Sequence, residues 1–300
     1  MAVSRTWPDP VSTTFVYEEA FSRNIGWLTK GEQQILRGKR IAIAGMGGVG
    51  GVHLLTLARL GIGAFHIADL DIFETVNFNR QVGATIPHLG KPKADTLAKM
   101  ALEINPELDI KVFPKGVDKD NLPDFFKGVD LYIDGLDFFA FSARQATFAT
   151  CEKLGIPATT AAPLGMGASL LNFLPGQMTF EDYFGWNNCS DDEKGLLFLL
   201  GLAPARLHFN YLVDPTAVNL EEHRGPSTIM ACQICAGMAA TEALKILLKR
   251  GKALAAPRGL QFDAYRNKLS KTWLPGGNRN PLQRLALMFA RKRLDSLKKH

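Results

Sequence analysis

Disulfides do not frame this chain. Its 300 residues hold four cysteines, Cys151, Cys189, Cys232 and Cys235, too few for a stapled fold and in keeping with a reducing compartment. Long apolar runs are also missing. The longest, residues 196–205, contains Gly201 and Pro204 and reaches roughly half of the ~18 residues that a membrane span needs. Residues 1–10 have no apolar core of the signal-peptide kind. These absences lead to the expectation of a soluble, cytoplasmic protein. No internal repeat and no long low-complexity tract is present, which argues against solenoids and disordered arrays.

Excess charge is confined as well. The net +6 gathers in residues 281–300, which hold six Lys and Arg against one Asp, so that the other 280 residues carry about +1. The basic balance therefore describes a tail and does not make the whole surface a nucleic-acid binder. What the chain does have is an ordinary globular composition, 46% hydrophobic and 21% charged, enough for a sizeable core.

The pattern along the chain predicts alternating strands and helices. Residues 12–38 read as a helical entry segment. Arg40–Ala44 reads as a strand, 49–60 as a helix stopped by Gly61, and Ala64–Ala68 as a second strand. A helix over 92–104, strands over 110–113 and 129–133, a helix over 141–154 and a strand over 158–162 follow. This alternation predicts an α/β fold, a Rossmann-like, mainly parallel sheet with helices on both faces. The second half is mixed: a strand over 168–174, an irregular stretch over 175–228, a long helix over 229–249, and a hairpin from 260–265 and 268–273. Residues 274–281 read as a flexible linker before a short basic helix. The expected division is an entry segment over 1–38, an ATP-binding domain over 39–273 and a linker with a helical tail over 274–300.

Gly45-Met46-Gly47-Gly48-Val49-Gly50 lies between the first strand and its helix. Glycines there let the backbone approach a phosphate, and the helix N-terminus offers free N–H groups. Asp69, 24 residues beyond Gly45, ends the next strand, where an acid accepts hydrogen bonds from ribose hydroxyls. This much signals a nucleotide, and an NAD oxidoreductase would share it. The following residues separate the two. Asp71, Asn77, Arg80, Gln81 and Lys93 come next, and a later strand leads to Asp137. Parallel strand ends share one edge, so Asp69, Asp71 and Asp137 are expected near one crevice. Two acids beside phosphates suggest Mg2+, and Arg80 and Lys93 supply charge for a triphosphate and its departing pyrophosphate. Hydride transfer needs neither.

These residues, with Ser22-Arg23-Asn24, Gly90-Lys91-Pro92-Lys93-Ala94 and Asn105-Pro106, resemble the adenylation domain of ThiF, MoeB and the ubiquitin-activating enzymes. The resemblance runs from about Phe21 to Pro163, roughly half the chain. It implies an ATP-dependent adenylyltransferase. Gly45, Gly47, Gly48 and Gly50 would cradle ATP and Asp69 would hold its ribose. Asp71 and Asp137 would place Mg2+. Asn77, Arg80, Gln81 and Lys93 would bind phosphates. Arg23 would act as an arginine finger, in many members reaching into the partner's site, which implies a homodimer. The catalytic set would be Arg23, Arg80, Lys93 and Asp137.

Two departures stand out. Phe138 follows Asp137 where family members often have Asn. Only one Cys-x-x-Cys, Cys232 to Cys235, is present, so the four ligands of a structural zinc are not complete and zinc is not expected. Cys189 is the candidate thioester nucleophile, but Asp191, Asp192 and Glu193 follow it and disfavour a thiolate. The substrate region is expected within 164–228, where Phe180, Tyr183, Phe184 and Trp186 read as core and residues 196–202 as a buried helix. The partner expected is a carboxylate at the C-terminus of a small ubiquitin-like protein or a peptide. The alternatives are a tRNA-modifying dehydratase of the threonylcarbamoyladenosine type and a non-catalytic subunit of the same fold. The C-terminal helix sets Leu282, Leu285, Phe289 and Leu294 among basic residues, which suits tRNA, an anionic membrane surface or plain solvent.

Overall fold

The computed structural model describes residues 14–218 and 225–297. Residues 1–13 of the expected entry segment, 219–224 of the variable stretch, and 298–300 of the tail, with Lys298 and Lys299, lie outside the described residues. Ahead of the sheet come α1 (Tyr17–Ala20), a single turn of 3-10 helix (Ser22–Asn24) and α2 (Lys30–Arg37). The entry segment is thus helical in three pieces. Gly26 takes a φ of +113° between them, and Thr29 restarts the helix with a capping box shared with Glu32.

The body follows as β1 (Arg40–Ala44), α3 (Gly50–Leu60), β2 (Ala64–Ala68), α4 (Lys93–Ile104), β3 (Asp109–Phe113), α5 (Leu122–Phe125), β4 (Leu131–Asp134), α6 (Phe141–Leu154) and β5 (Ala158–Leu164). Then come β6 (Gly167–Phe173), α7 (Phe180–Phe184), α8 (Asp191–Leu202), α9 (Ile229–Leu247), β7 (Arg258–Asp263), β8 (Lys268–Trp273) and α10 (Pro281–Leu297). One eight-stranded sheet runs β3-β2-β1-β4-β5-β6-β7-β8. Its first five strands are parallel, and β6, β7 and β8 join antiparallel. The predicted hairpin is present, with β7 starting two residues earlier than expected.

Strand alternation sorts the core onto two faces. Ile41, Ile43, Phe65, Ile67 and Ile133 pack with Leu54, Leu57 and Leu97 and with the alanines of α9. Ala42, Ala44 and Tyr132 face the other way, onto Phe148, Phe180, Tyr183, Phe184, Trp186 and Phe198. The aromatic group is therefore core, and residues 196–202 form a buried helix face. Helix α9 has the length and mean hydropathy, 1.3, of a membrane span. It packs on β5, β6 and α3, and so serves as a core helix.

The stretch expected to be a flexible linker is pinned. Asn278 is buried, and its side-chain amide donates to the carbonyls of Phe184 (3.0 Å) and Leu197 (2.9 Å). Helix α10 is docked too. Gln283 and Leu287 are buried against the body, and Arg291 pairs with Glu193 of α8.

Candidate nucleotide site at the sheet's switch point

The chain leaves β1 for β2 and β3 and returns on its other side as β4. A crevice opens where such strand order reverses, beyond the strands' carboxyl ends. The glycine loop sits there. Gly45 has a φ of +86°, and a Cβ on it would stand 2.2 Å from the Gly135 carbonyl oxygen. A Cβ on Gly50 would meet the Gly45 carbonyl oxygen at 1.7 Å. Only glycine allows this turn, which folds the loop against the end of β4 and aims the start of α3 at the crevice.

Asp69 closes the loop from the β2 side. Its carboxylate accepts from Met46 N (2.5 Å) and Asp71 N (2.7 Å). Burial raises its pKa, while those N–H groups and Lys93 pull it down. Asp69 thus shapes the loop, with oxygen lone pairs left for a ribose.

The segment between β2 and α4 supplies the polar wall. Asn77 is buried, and its Oδ1 accepts from Glu74 N at 3.0 Å, fixing the turn that carries the next residues. The Arg80 stem lies beside Gly48, and its guanidinium donates to Val76 O (3.1 Å) and Asn79 Oδ1 (3.0 Å). Gln81 is buried with its amide beside Gly47, and its Oε1 has no hydrogen-bond partner among the described residues. Lys93 is 6% exposed and donates to Asp71 Oδ2 at 3.0 Å.

The structure therefore brings together the glycine loop, Asp69, Asp71, Asn77, Arg80, Gln81 and Lys93. Asp137 stands at the end of β4, exposed, with Oδ1 accepting from Phe139 N at 3.0 Å. No hydrogen bond or ion pair joins it to Asp71 among the described residues. The loop is open at Gly47, where a Cβ would meet nothing nearer than Gln81 Nε2 at 3.7 Å, which leaves room for a phosphate to approach the backbone. Among the described residues no group of three or more His, Cys, Asp or Glu is gathered for a metal ion, and Asp71 Oδ2 is engaged by Lys93.

Arg23 is elsewhere. The turn carrying it is tied to the far end of α3, where Asn24 donates to Leu60 O (3.3 Å) and Tyr17 donates to Gly61 O (2.5 Å). The eleven residues of α3 separate that end from the loop by about 15 Å. Arg23 is exposed and has no ion pair among the described residues.

The sequence reading missed Arg144. It is buried on α6, and its Nε donates to Asp134 Oδ2 at 2.8 Å. Its two Nη atoms donate to Leu136 O, Asp137 O and Phe138 O at 2.8–3.1 Å. Thr160 also donates to Asp134 (3.0 Å), and Phe198 packs under the guanidinium. One arginine thus sets the backbone that presents Asp137. The available signal was an apolar strand ending in Asp134, followed ten residues later by an arginine in the first turn of the next helix.

Cys189 is partly buried, and its thiol is pushed up by burial and then by Glu193 and Glu181. Cys232 and Cys235 are both buried on α9, Cys232 against the glycine loop at Gly48.

Residues 21–284 match the ThiF family, and the chain belongs to it. It is similar to the tRNA threonylcarbamoyladenosine dehydratase of Escherichia coli K12, 33% identical over 133 residues, 44% of this chain and 49% of that one. It is also similar to the sulfur carrier protein ThiS adenylyltransferase of the same organism, 29% identical over 48% of this chain and 56% of that one. The chain spans about half the length of these curated relatives. Among solved structures, PaaA aligns with a TM-score of 0.65 at 18% identity, covering 90% of this chain and 77% of that one. E. coli MccB with ATP aligns at 0.63 and 19%, covering 84% and 70%. At such identities these structures speak for the fold.

Proposed function

We propose that the chain is an ATP-dependent adenylyltransferase that activates a carboxylate, the C-terminus of a small ubiquitin-like protein or of a peptide. The observation that carries this reading is the switch-point cradle with cations on its wall: Gly45 to Gly50, the buried Gln81, Arg80 and Lys93. A carboxylate oxygen attacks the α-phosphorus of ATP, the bond between that phosphorus and the bridging oxygen breaks, and pyrophosphate leaves with the bonding pair. The glycine loop and the start of α3 hold phosphate oxygens by backbone N–H groups. Asp69 and Gln81 orient the nucleoside. Lys93, freed from Asp71 by a phosphate, and Arg80 neutralise the leaving pyrophosphate. Mg2+, held at Asp137 with Asp71 in reserve, would supply charge neutralisation between the phosphates. Arg23 is assigned to the site of a second copy, which makes the working unit a homodimer, placed in the cytoplasm where ATP is supplied. Cys189 has no role in this scheme.

The similarity to the E. coli tRNA dehydratase favours a second reading on the same site, in which the carboxylate belongs to a modified tRNA. ATP consumption stimulated by tRNA, and not by peptides, would select it.

The test of the nucleotide assignment is thermal stabilisation by ATP·Mg2+ against NAD(H), with Asp137→Ala alongside. A ligand that binds the folded state raises its stability. A shift with ATP·Mg2+ that shrinks in Asp137→Ala supports the reading. A shift with NAD(H) alone refutes it.

A further inference from the structure

The charge of this chain divides along its length more sharply than its tail suggests. Residues 249–300 hold fourteen Lys and Arg against two Asp, a net +12, which leaves −6 for the 248 residues before them. Seven of the fourteen stand on β7, the edge strand β8 and α10: Arg258, Lys268, Lys271, Arg284, Arg291, Lys292 and Arg293.

The same edge exposes large apolar side chains. On α10, Leu282, Leu285 and Phe289 lie at helical spacing on the side away from Gln283 and Leu287, and all three are exposed, Leu282 at 78%. On β8, Leu269, Lys271 and Trp273 share the outward face, with Trp273 at 65% exposure. The two elements meet. Trp273 and Leu282 line one groove with Pro204 and Arg206, and among the described residues that line it none is acidic. The Arg258 guanidinium sits 5.9 Å from the centre of the Trp273 ring. Arg284 is exposed on α10 as well, about 100° round the helix from Leu285.

We propose that this edge is a docking surface for an anionic membrane, with Leu282, Leu285, Phe289 and Trp273 entering the headgroup boundary and Arg206, Arg258, Lys271 and Arg284 meeting lipid phosphates. An exposed apolar stripe on a helix beside exposed cations of a neighbouring strand has the chemistry of an interfacial anchor, and tryptophan prefers that depth. Basic residues near an anionic leaflet add attraction that salt screens. Charge complementarity selects the occupant. A second copy would bring the same positive edge against this one, a like-charge pairing that disfavours self-association. RNA would meet the cations but leave four exposed apolar side chains without a partner.

The experiment is co-sedimentation of the full chain with vesicles of phosphatidylcholine alone or with one-quarter phosphatidylglycerol, at low and high salt. Leu285→Glu/Phe289→Glu is the variant. Both residues are exposed, and unchanged thermal stability checks that it folds. The expected result is salt-sensitive binding to the anionic vesicles only, weakened at least about tenfold in the variant. Absence of binding to anionic vesicles overturns the proposal. So does binding that the double substitution leaves unchanged, or tight binding to bulk tRNA that competes fully with the vesicles. None of these outcomes depends on ATP turnover.

Discussion

Replacing Arg144 by methionine should destabilise this protein strongly. Methionine matches the arginine stem in length and removes the fork. Asp134 is then left with a side chain 1% exposed, holding only Thr160, a weak contact at 3.4 Å from the Tyr132 hydroxyl, and Leu136 N. Removing one partner of a buried ion pair costs about 3–5 kcal/mol, because the other charge stays buried. The carbonyls of Leu136 and Phe138 lose the Arg144 donor in the same step, while Asp137 O keeps the Ala140 N–H at 3.0 Å. Urea unfolding of the wild type and Arg144→Met reads the loss directly, as a lower midpoint at constant slope. A second variant, Asp134→Leu with Arg144→Met, removes both charges and should recover part of the loss, since an apolar pair of similar volume is often neutral. A loss below about 1 kcal/mol in the single variant would show that Arg144 is not the clamp described here.

The His53 ring is buried on α3, with neither nitrogen bonded among the described residues, and burial lowers its pKa from 6.5 to about 4. The unfolded chain then takes up a proton that the folded one refuses, so stability is fully present above pH 6.5 and falls as the pH drops toward 4, by about 3 kcal/mol in all. His208, lowered to about 4 chiefly by burial, acts in the same window. His53→Leu should flatten the pH profile of urea midpoints, and an unchanged slope would place the effect elsewhere. Arg23→Ala should lose ATP turnover and regain part of it in mixed dimers with Asp137→Ala, each chain completing the other's site. Without such rescue, the finger is not shared between copies. Asn278→Ala should cost about 1–3 kcal/mol in chemical denaturation, from the loss of its two buried hydrogen bonds to Phe184 O and Leu197 O. A loss within error would mean that the 274–280 segment is free after all.

The parallel half of the sheet was legible because its signals are local. An apolar strand, a glycine loop and a helix follow one another within residues 40–60, and the same rhythm returns up to β5. The glycine loop and the polar residues beside it were legible for the same reason. What escaped depends on contacts between distant parts of the chain. Asn278 reads as a turn residue until its amide is seen to bond Phe184 and Leu197, 94 and 81 residues away. Asp71 reads as a metal ligand, yet Lys93, 22 residues on, claims one of its oxygens. Arg144 sits in a helix of weak amphipathic pattern, so its burial is marked only by its place ten residues after the strand-ending Asp134. The position of Arg23 needed the hydrogen bonds that tie the entry segment to Leu60 and Gly61.

That last feature has a kinetic consequence. A residue anchored about 15 Å from the loop in its own chain serves catalysis only through an encounter, so turnover under the proposed scheme carries a concentration law. Specific activity should rise with enzyme concentration and level off once pairs dominate. Rapid dilution should bring a lag or decay set by the rate at which the pairs separate. The cell could then tune flux by abundance more steeply than in proportion, with no allosteric ligand needed.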